Sequence, residues 1–223
     1  MSLSSRRITI AVLVGLLASA CTATPERVPE AALAATVGVE AVGCEPTTER
    51  GTGILLRDGM VLTAAHIIAG TDAISVVFED ETLPAQVVAF DPEQDLAVVR
   101  VNTTRPGLAI GEINPGEPAW VMGFDHSNDA PVPKPVQVLR HLAVTTSDIY
   151  LEGSFERPVL ELGGKLIIGD SGAALVSESG EVGGIIYATS RNEANIGFAL
   201  DIAALISHLS TAKEPLGAWG PCQ

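Results

Sequence analysis

Ser171 stands in the turn Gly169-Asp170-Ser171-Gly172, between the apolar runs Leu166-Ile167-Ile168 and Ala173-Ala174-Leu175-Val176. A serine held in a glycine-rich turn between two buried-strand patterns is a common way to present a nucleophilic hydroxyl. Gly169 and Gly172 permit backbone angles that turn successive N–H groups toward one point. There the N–H groups of Gly169 and Ser171 would stabilise the oxyanion of a tetrahedral intermediate. The four residues alone fit a plain hairpin equally well. The hydroxyl also needs a neutral imidazole to accept its proton and a carboxylate to fix that imidazole's tautomer. Val61-Leu62-Thr63-Ala64-Ala65-His66 places a histidine just after an apolar strand. Asp95-Leu96-Ala97-Val98-Val99 places an aspartate at the mouth of another, with Asp91 as a nearby rival.

The order His66, Asp95, Ser171 and the flanking segments Thr63-Ala64-Ala65-His66, Asp95-Leu96-Ala97 and Gly169-Asp170-Ser171-Gly172 resemble the trypsin-like (chymotrypsin-fold) serine proteases. The resemblance implies a peptide hydrolase in which Ser171 is the nucleophile, His66 the base and then the acid, and Asp95 the residue that orients His66. It selects Asp95 over Asp91, because only Asp95 precedes the apolar strand, and it gives Asp170 a bracing role in the oxyanion turn. The likeness runs from about Thr36 to Cys222 and is weakest over Ala119–Leu162. It is strongest to the HtrA-related periplasmic proteases, especially the acid-resistance branch, and no PDZ-like segment is read after the protease region. One departure is Ala173, where the family usually has a second glycine.

These residues need strands to hold them. About 185 residues follow the leader and linker, enough for one large all-β domain or two small ones. Short Val/Ile/Leu/Ala runs between Gly and Pro turn signals predict strands at Thr36–Gly43, Gly53–Leu56, Met60–Thr63, Ile74–Phe78, Ala85–Phe90 and Ala97–Val101. A second set is predicted at Ala119–Gly123, Val136–Leu142, Ile149–Leu151, Val159–Leu162, Ala174–Ser177, Val182–Tyr187 and Ile196–Leu200. That pattern gives an all-β barrel or sandwich. The resemblance selects two six-stranded antiparallel β-barrels with a C-terminal helix, about 36–108 and 109–200, divided in the Pro/Gly-rich Asn102–Pro118 segment. Asp201 can cap the helix of 201–211, in which Ile202, Leu205, Ile206 and Leu209 share a face.

Arg6-Arg7 and the apolar stretch from Ile8 to Ala20 read as an export signal, too short to span a bilayer. Leu17-Ala18-Ser19-Ala20-Cys21 resembles a bacterial lipobox, which implies lipid on Cys21; ordinary signal cleavage, giving a secreted protein, is the alternative. Residues 21–35 read as a linker from that anchor, with a short helix possible at Pro29–Ala35. The resemblance pairs the remaining cysteines, Cys44 and Cys222, in a disulfide, which an exported chain permits. Closing so long a loop would constrain the unfolded chain by about 5 kcal/mol at most.

The net charge is −14 and becomes more negative once Arg6 and Arg7 leave with the signal. Such a surface argues against nucleic acid or anionic lipid as a partner. The expected partners are a protein or peptide substrate and, through the lipid, a membrane; the protein is read as an extracytoplasmic monomer without cofactor or metal. The resemblance sets Lys165 at the floor of the primary substrate pocket or in solvent, with Tyr187, Ala188 and Thr189 on one wall and Gly197 on another. An Arg/Lys preference is not expected, since no acid stands at position 165. Asp125-His126-Ser127-Asn128-Asp129 is a weak metal pattern and reads as a solvated loop. Gly51-Thr52-Gly53 reads as strand entry. A catalytically silent protease-fold binding lipoprotein is the rival from another class, with Ala173 as its only support; an esterase with the same triad is the rival among enzymes.

Overall fold

A computed structural model describes residues 27–43, 48–167, 169–190 and 192–209. The chain forms two six-stranded antiparallel barrels, each closed. The first consists of β1 (Thr36–Val42), β2 (Glu49–Leu55), β3 (Met60–Thr63), β4 (Ala73–Val77), β5 (Thr82–Asp91) and β6 (Leu96–Val101), in the order β1-β2-β3-β6-β5-β4. Pairing of β1 with β4 closes it. The second consists of β7 (Pro118–Asp125), β8 (Ala130–Thr146), β9 (Phe155–Gly163), β10 (Ala174–Ser177), β11 (Val182–Thr189) and β12 (Ile196–Asp201), in the order β10-β11-β12-β9-β8-β7. Pairing of β7 with β10 closes that one.

Twelve of the thirteen predicted strands are present. The exception is Ile149–Leu151, which is part of a turn. Oδ1 of Asp148 accepts the N–H groups of Tyr150 and Glu152, and Leu151 takes a left-handed φ of 64° with its side chain in solvent. An aspartate that satisfies backbone donors locally competes with the sheet, and here it wins.

The segment between β6 and β7 crosses from one barrel to the other within three residues. Leu108 bridges to Leu56 of the first barrel, and Ile110 bridges to Val182 of the second. Apolar residues of both barrels share one core. Met122, Ala174, Val176, Val182 and Ile185 pack with Val39, Ile54, Leu62 and Val99, while Val121, Val138, Leu162, Leu175 and Ile186 fill a further cluster inside the second barrel. Burial of this kind removes roughly 1.5–3 kcal/mol of exposure cost per large aliphatic side chain.

Two helices flank the barrels. The short helix read as possible at the end of the linker is present: Glu30–Ala35 is α1, with Ala32 and Ala35 wholly buried, and the hydroxyl of Thr36 donates to the Ala32 carbonyl at 2.7 Å. The folded part therefore begins before Thr36, because four alanines and a leucine give this segment an apolar face to bury. α3 (Ile202–Leu209) follows β12, and the Asp201 carboxylate accepts the N–H of Ala204 at 3.3 Å, as a cap does. Among the described residues no helix is long and apolar enough to cross a membrane. Cys21, Cys44 and Cys222 lie outside the described residues.

Candidate active site

Antiparallel register brings His66 to Asp95. Thr63, the last residue of β3, pairs with Ala97 near the start of β6, so the chain leaving one strand meets the chain entering the other. The short helix α2 (Ala65–Ile68) then carries His66, and the turn after β5 ends in Asp95. Asp95 is buried and takes a left-handed φ of 55°. Its Oδ1 accepts the backbone N–H of His66 at 3.0 Å, and His66 Nδ1 lies 3.0 Å from Oδ1 and 2.9 Å from Oδ2. An ionised carboxylate in that position fixes the proton on Nδ1 and leaves Nε2 as a lone-pair acceptor. Burial disfavours the charged imidazole. The Asp95 hydrogen bond and charge outweigh that, with Glu49 adding and Arg157 opposing, and raise the His66 pKa above its ordinary 6.5. Asp91 takes no part; its Oδ1 accepts the N–H of Gln94 at 2.9 Å within the turn.

Ser171 sits in a turn built from both barrels. Gly169 and Gly172 have φ of 103° and 79°. At Gly172 a Cβ would lie 2.1 Å from the Thr52 carbonyl oxygen and 2.9 Å from Ile67 Cδ1, so only glycine fits and the turn abuts the helix that carries His66. The N–H of Gly172 donates to Ile186, and that of Ala173 to Asp170, both at 2.9 Å. Among the described residues the N–H groups of Gly169 and Ser171 donate to nothing, which leaves two donors available to a developing oxyanion. The carbonyl of Ser171 accepts the N–H of Thr52 at 3.1 Å. Thr52 also accepts the Phe124 N–H on its hydroxyl at 3.1 Å and the Thr63 hydroxyl on its carbonyl at 2.7 Å. Asp170 braces the turn: Oδ2 accepts the N–H of Ile167 at 2.8 Å and Oδ1 is ion-paired with Lys134. Ala173 has no positive φ, and its side chain is wholly buried in the second barrel's core, so the departure from glycine needs no unusual backbone.

Of the residues assigned to the primary pocket, Tyr187, Ala188 and Thr189 follow one another on β11, and Thr189 pairs with Gly197 on β12. Lys165 and Thr189 are exposed, and Gly197 is buried beneath Leu166, whose Cδ1 would stand 2.2 Å from a Cβ at that position. Tyr187 faces inward, with the Arg157 guanidinium 5.6 Å from its ring centroid; burial raises its pKa, Arg157 lowers it and Asp95 raises it. The solvated-loop reading of residues 125–129 is corrected at His126. Its Nε2–H donates to the Gly51 carbonyl at 2.7 Å, across the barrel junction, while Asp125 binds Ser127 and Asn128 in the exposed part. Thr52, Lys134, Arg157 and Leu166 were not singled out from sequence.

A family model of the trypsin-like peptidase domain matches residues 51–185. The serine protease Rv3671c of Mycobacterium tuberculosis is 27% identical over 185 residues, covering 80% of this chain and 46% of its own length. A DegP-like periplasmic serine endoprotease of Pseudomonas putida is 30% identical, covering 74% of this chain and 35% of its own. The chain thus spans less than half the length of either relative. The crystal structure of the Rv3671c protease in its active form superposes with a TM-score of 0.78 at 26% identity, covering 86% of this chain and 87% of the other.

Proposed function

Because the chain belongs to the trypsin-like peptidase family, we propose that it is a serine endopeptidase working through Ser171, His66 and Asp95. The observation that carries this is the grip of buried Asp95 on His66 Nδ1, which leaves Nε2 to act as base. Ser171 Oγ attacks the peptide carbonyl carbon while Nε2 takes the hydroxyl proton. The charge that forms on the carbonyl oxygen is met by the N–H groups of Gly169 and Ser171. Collapse of the tetrahedral intermediate breaks the C–N bond, and His66 hands its proton to the leaving amine. Water, deprotonated by His66, then hydrolyses the Ser171 ester. No cofactor enters any of these steps.

The leader and cysteines support an extracytoplasmic protein, lipidated on Cys21 and stapled by Cys44–Cys222, which acts on protein or peptide substrates as a monomer. The periplasmic relative is in keeping with that location. Mass spectrometry of the mature N-terminus and non-reducing peptide mapping test these points; an unmodified N-terminus or two free thiols would count against them. The silent-protein rival drew its support from Ala173, which occupies ordinary backbone. A fluorophosphonate is expected to label Ser171, with labelling lost in Ser171→Ala and His66→Ala. A folded protein that neither labels nor cleaves an unstructured polypeptide would replace this reading with the silent one.

A further inference from the structure

Arg157 is a buried cation with no role in the steps above. It lies on β9 of the second barrel, 4% exposed, and among the described residues no carboxylate pairs with it. A guanidinium cannot shed its charge when buried, so its position must be justified by what it binds. Nε–H donates to the Glu93 carbonyl at 2.7 Å, and Nη2–H to the Ser147 carbonyl at 3.1 Å. The Tyr187 ring lies against the guanidinium, its centroid 5.6 Å from Cζ. Glu93 belongs to the short turn between β5 and β6 that ends in Asp95. Two further bonds tie that turn to the same region: Gln94 Nε2 to the Glu156 carbonyl at 3.4 Å, and Ile149 N–H to the Pro92 carbonyl at 3.2 Å.

We propose that Arg157 is a positioning residue for the His66–Asp95 pair, a fixed cation that clasps the Asp95 turn from the opposite barrel. The inference rests on the catalytic reading of that pair. Asp95 needs the clasp because its backbone is left-handed, a conformation that a non-glycine residue keeps only where its surroundings hold it. The bond to Glu93 reaches the turn and the bond to Ser147 fixes the guanidinium to its own barrel, a directional hold that a point charge cannot reproduce. The cation also acts on the imidazole. Asp95 from the β5–β6 turn, Glu49 from β2 and Arg157 from β9 are the charged groups that act on His66, and Tyr187 from β11 lies against Arg157. Arg157 is the one member that favours neutral imidazole, the form that accepts the serine proton.

The test uses Arg157→Lys and Arg157→Met, each measured for kcat, KM and the pH dependence of kcat/KM. His66 is also titrated by NMR in a Ser171→Ala background, which needs no activity. Arg157→Met removes both fork and charge: kcat should fall about tenfold or more with KM little changed, and the acid limb and the His66 midpoint should both move to higher pH. Arg157→Lys keeps the charge and loses the fork: kcat should fall similarly while limb and midpoint stay near wild type. A folded Arg157→Met protein with the wild-type kcat and His66 midpoint overturns the proposal. Should Arg157→Met fail to fold, Arg157→Lys decides alone, and wild-type kcat in that variant overturns it. If wild type never reacts with the fluorophosphonate, the catalytic reading fails by itself, whereas the NMR titration still reports whether Arg157 governs His66.

Discussion

Replacing Lys134 with methionine should loosen the serine turn without touching a reacting atom. The Asp170 side chain is 4% exposed and that of Lys134 is 20% exposed. Without the lysine, a carboxylate almost wholly removed from water keeps only the Ile167 N–H as a donor among the described residues. Breaking one side of a buried pair costs on the order of 3–5 kcal/mol, and the partial exposure of Lys134 puts this case near the lower end, about 3 kcal/mol. A domain of ordinary stability survives that loss, so the variant should fold. Its Asp170 must take up a proton or swing toward solvent, and either response changes the backbone between Ile167 and Ser171. Fluorophosphonate labelling should slow by about tenfold or more. Adding Asp170→Asn to Lys134→Met removes the stranded charge and should recover part of the stability, so that the two changes couple by about 1 kcal/mol or more. Urea denaturation and labelling rates of the four proteins in the cycle give both quantities. A Lys134→Met protein with wild-type midpoint and wild-type labelling, or strictly additive changes, would refute the bracing role of the pair.

The raised pKa of His66 puts the acid limb of kcat/KM above pH 6.5, and Asp95→Asn should lower that limb and cost about 10⁴-fold in kcat; a wild-type limb below 6.5 would contradict the grip of Asp95. The same raised pKa means that the His66–Asp95 contribution to stability is complete below the unfolded value of 6.5 and fades as pH climbs through the folded one. Denaturation midpoints between about pH 6 and 9, with Asp95→Asn as the reference, measure that slope. Ala173→Gly should leave labelling unchanged and cost about 1 kcal/mol, through a lost buried methyl and a freer unfolded chain. Faster labelling in that variant would reveal strain at the oxyanion turn.

The three candidate segments stood out because each couples a chemical residue to an adjacent strand pattern, so local sequence carried both the group and its support. The barrel strands were legible for the same reason; twelve of the thirteen apolar runs are strands. Ile149–Leu151 was misread because two apolar residues around a tyrosine look like a strand, whereas Asp148 before them and Gly153 after them build a turn. α1 was legible as a possible short helix at Pro29–Ala35 but not its docking; the burial of its alanines depends on a neighbouring barrel that short-range pattern does not reveal. Lys134, Arg157 and Thr52 were beyond reach on similar grounds. Each earns its place through a partner distant in sequence, Lys134 with Asp170 and Arg157 with Glu93, and a lone cation in a strand does not announce which carbonyl or carboxylate it will meet.

Thr52 belongs to the first barrel, and the turn that it completes belongs to the second. The nucleophile's backbone is therefore shared property of two bodies, each with a closed hydrogen-bonded wall of its own. If the seam opens while each barrel keeps its strands paired, Ser171 loses the donor on its carbonyl and the helix bearing His66 moves away from it. Reactivity should consequently vanish earlier on a denaturant or temperature ramp than the β-sheet circular dichroism does. The serine serves as a gauge of the seam: its labelling rate reads how firmly the barrels are docked, a quantity that the sheet signal does not register.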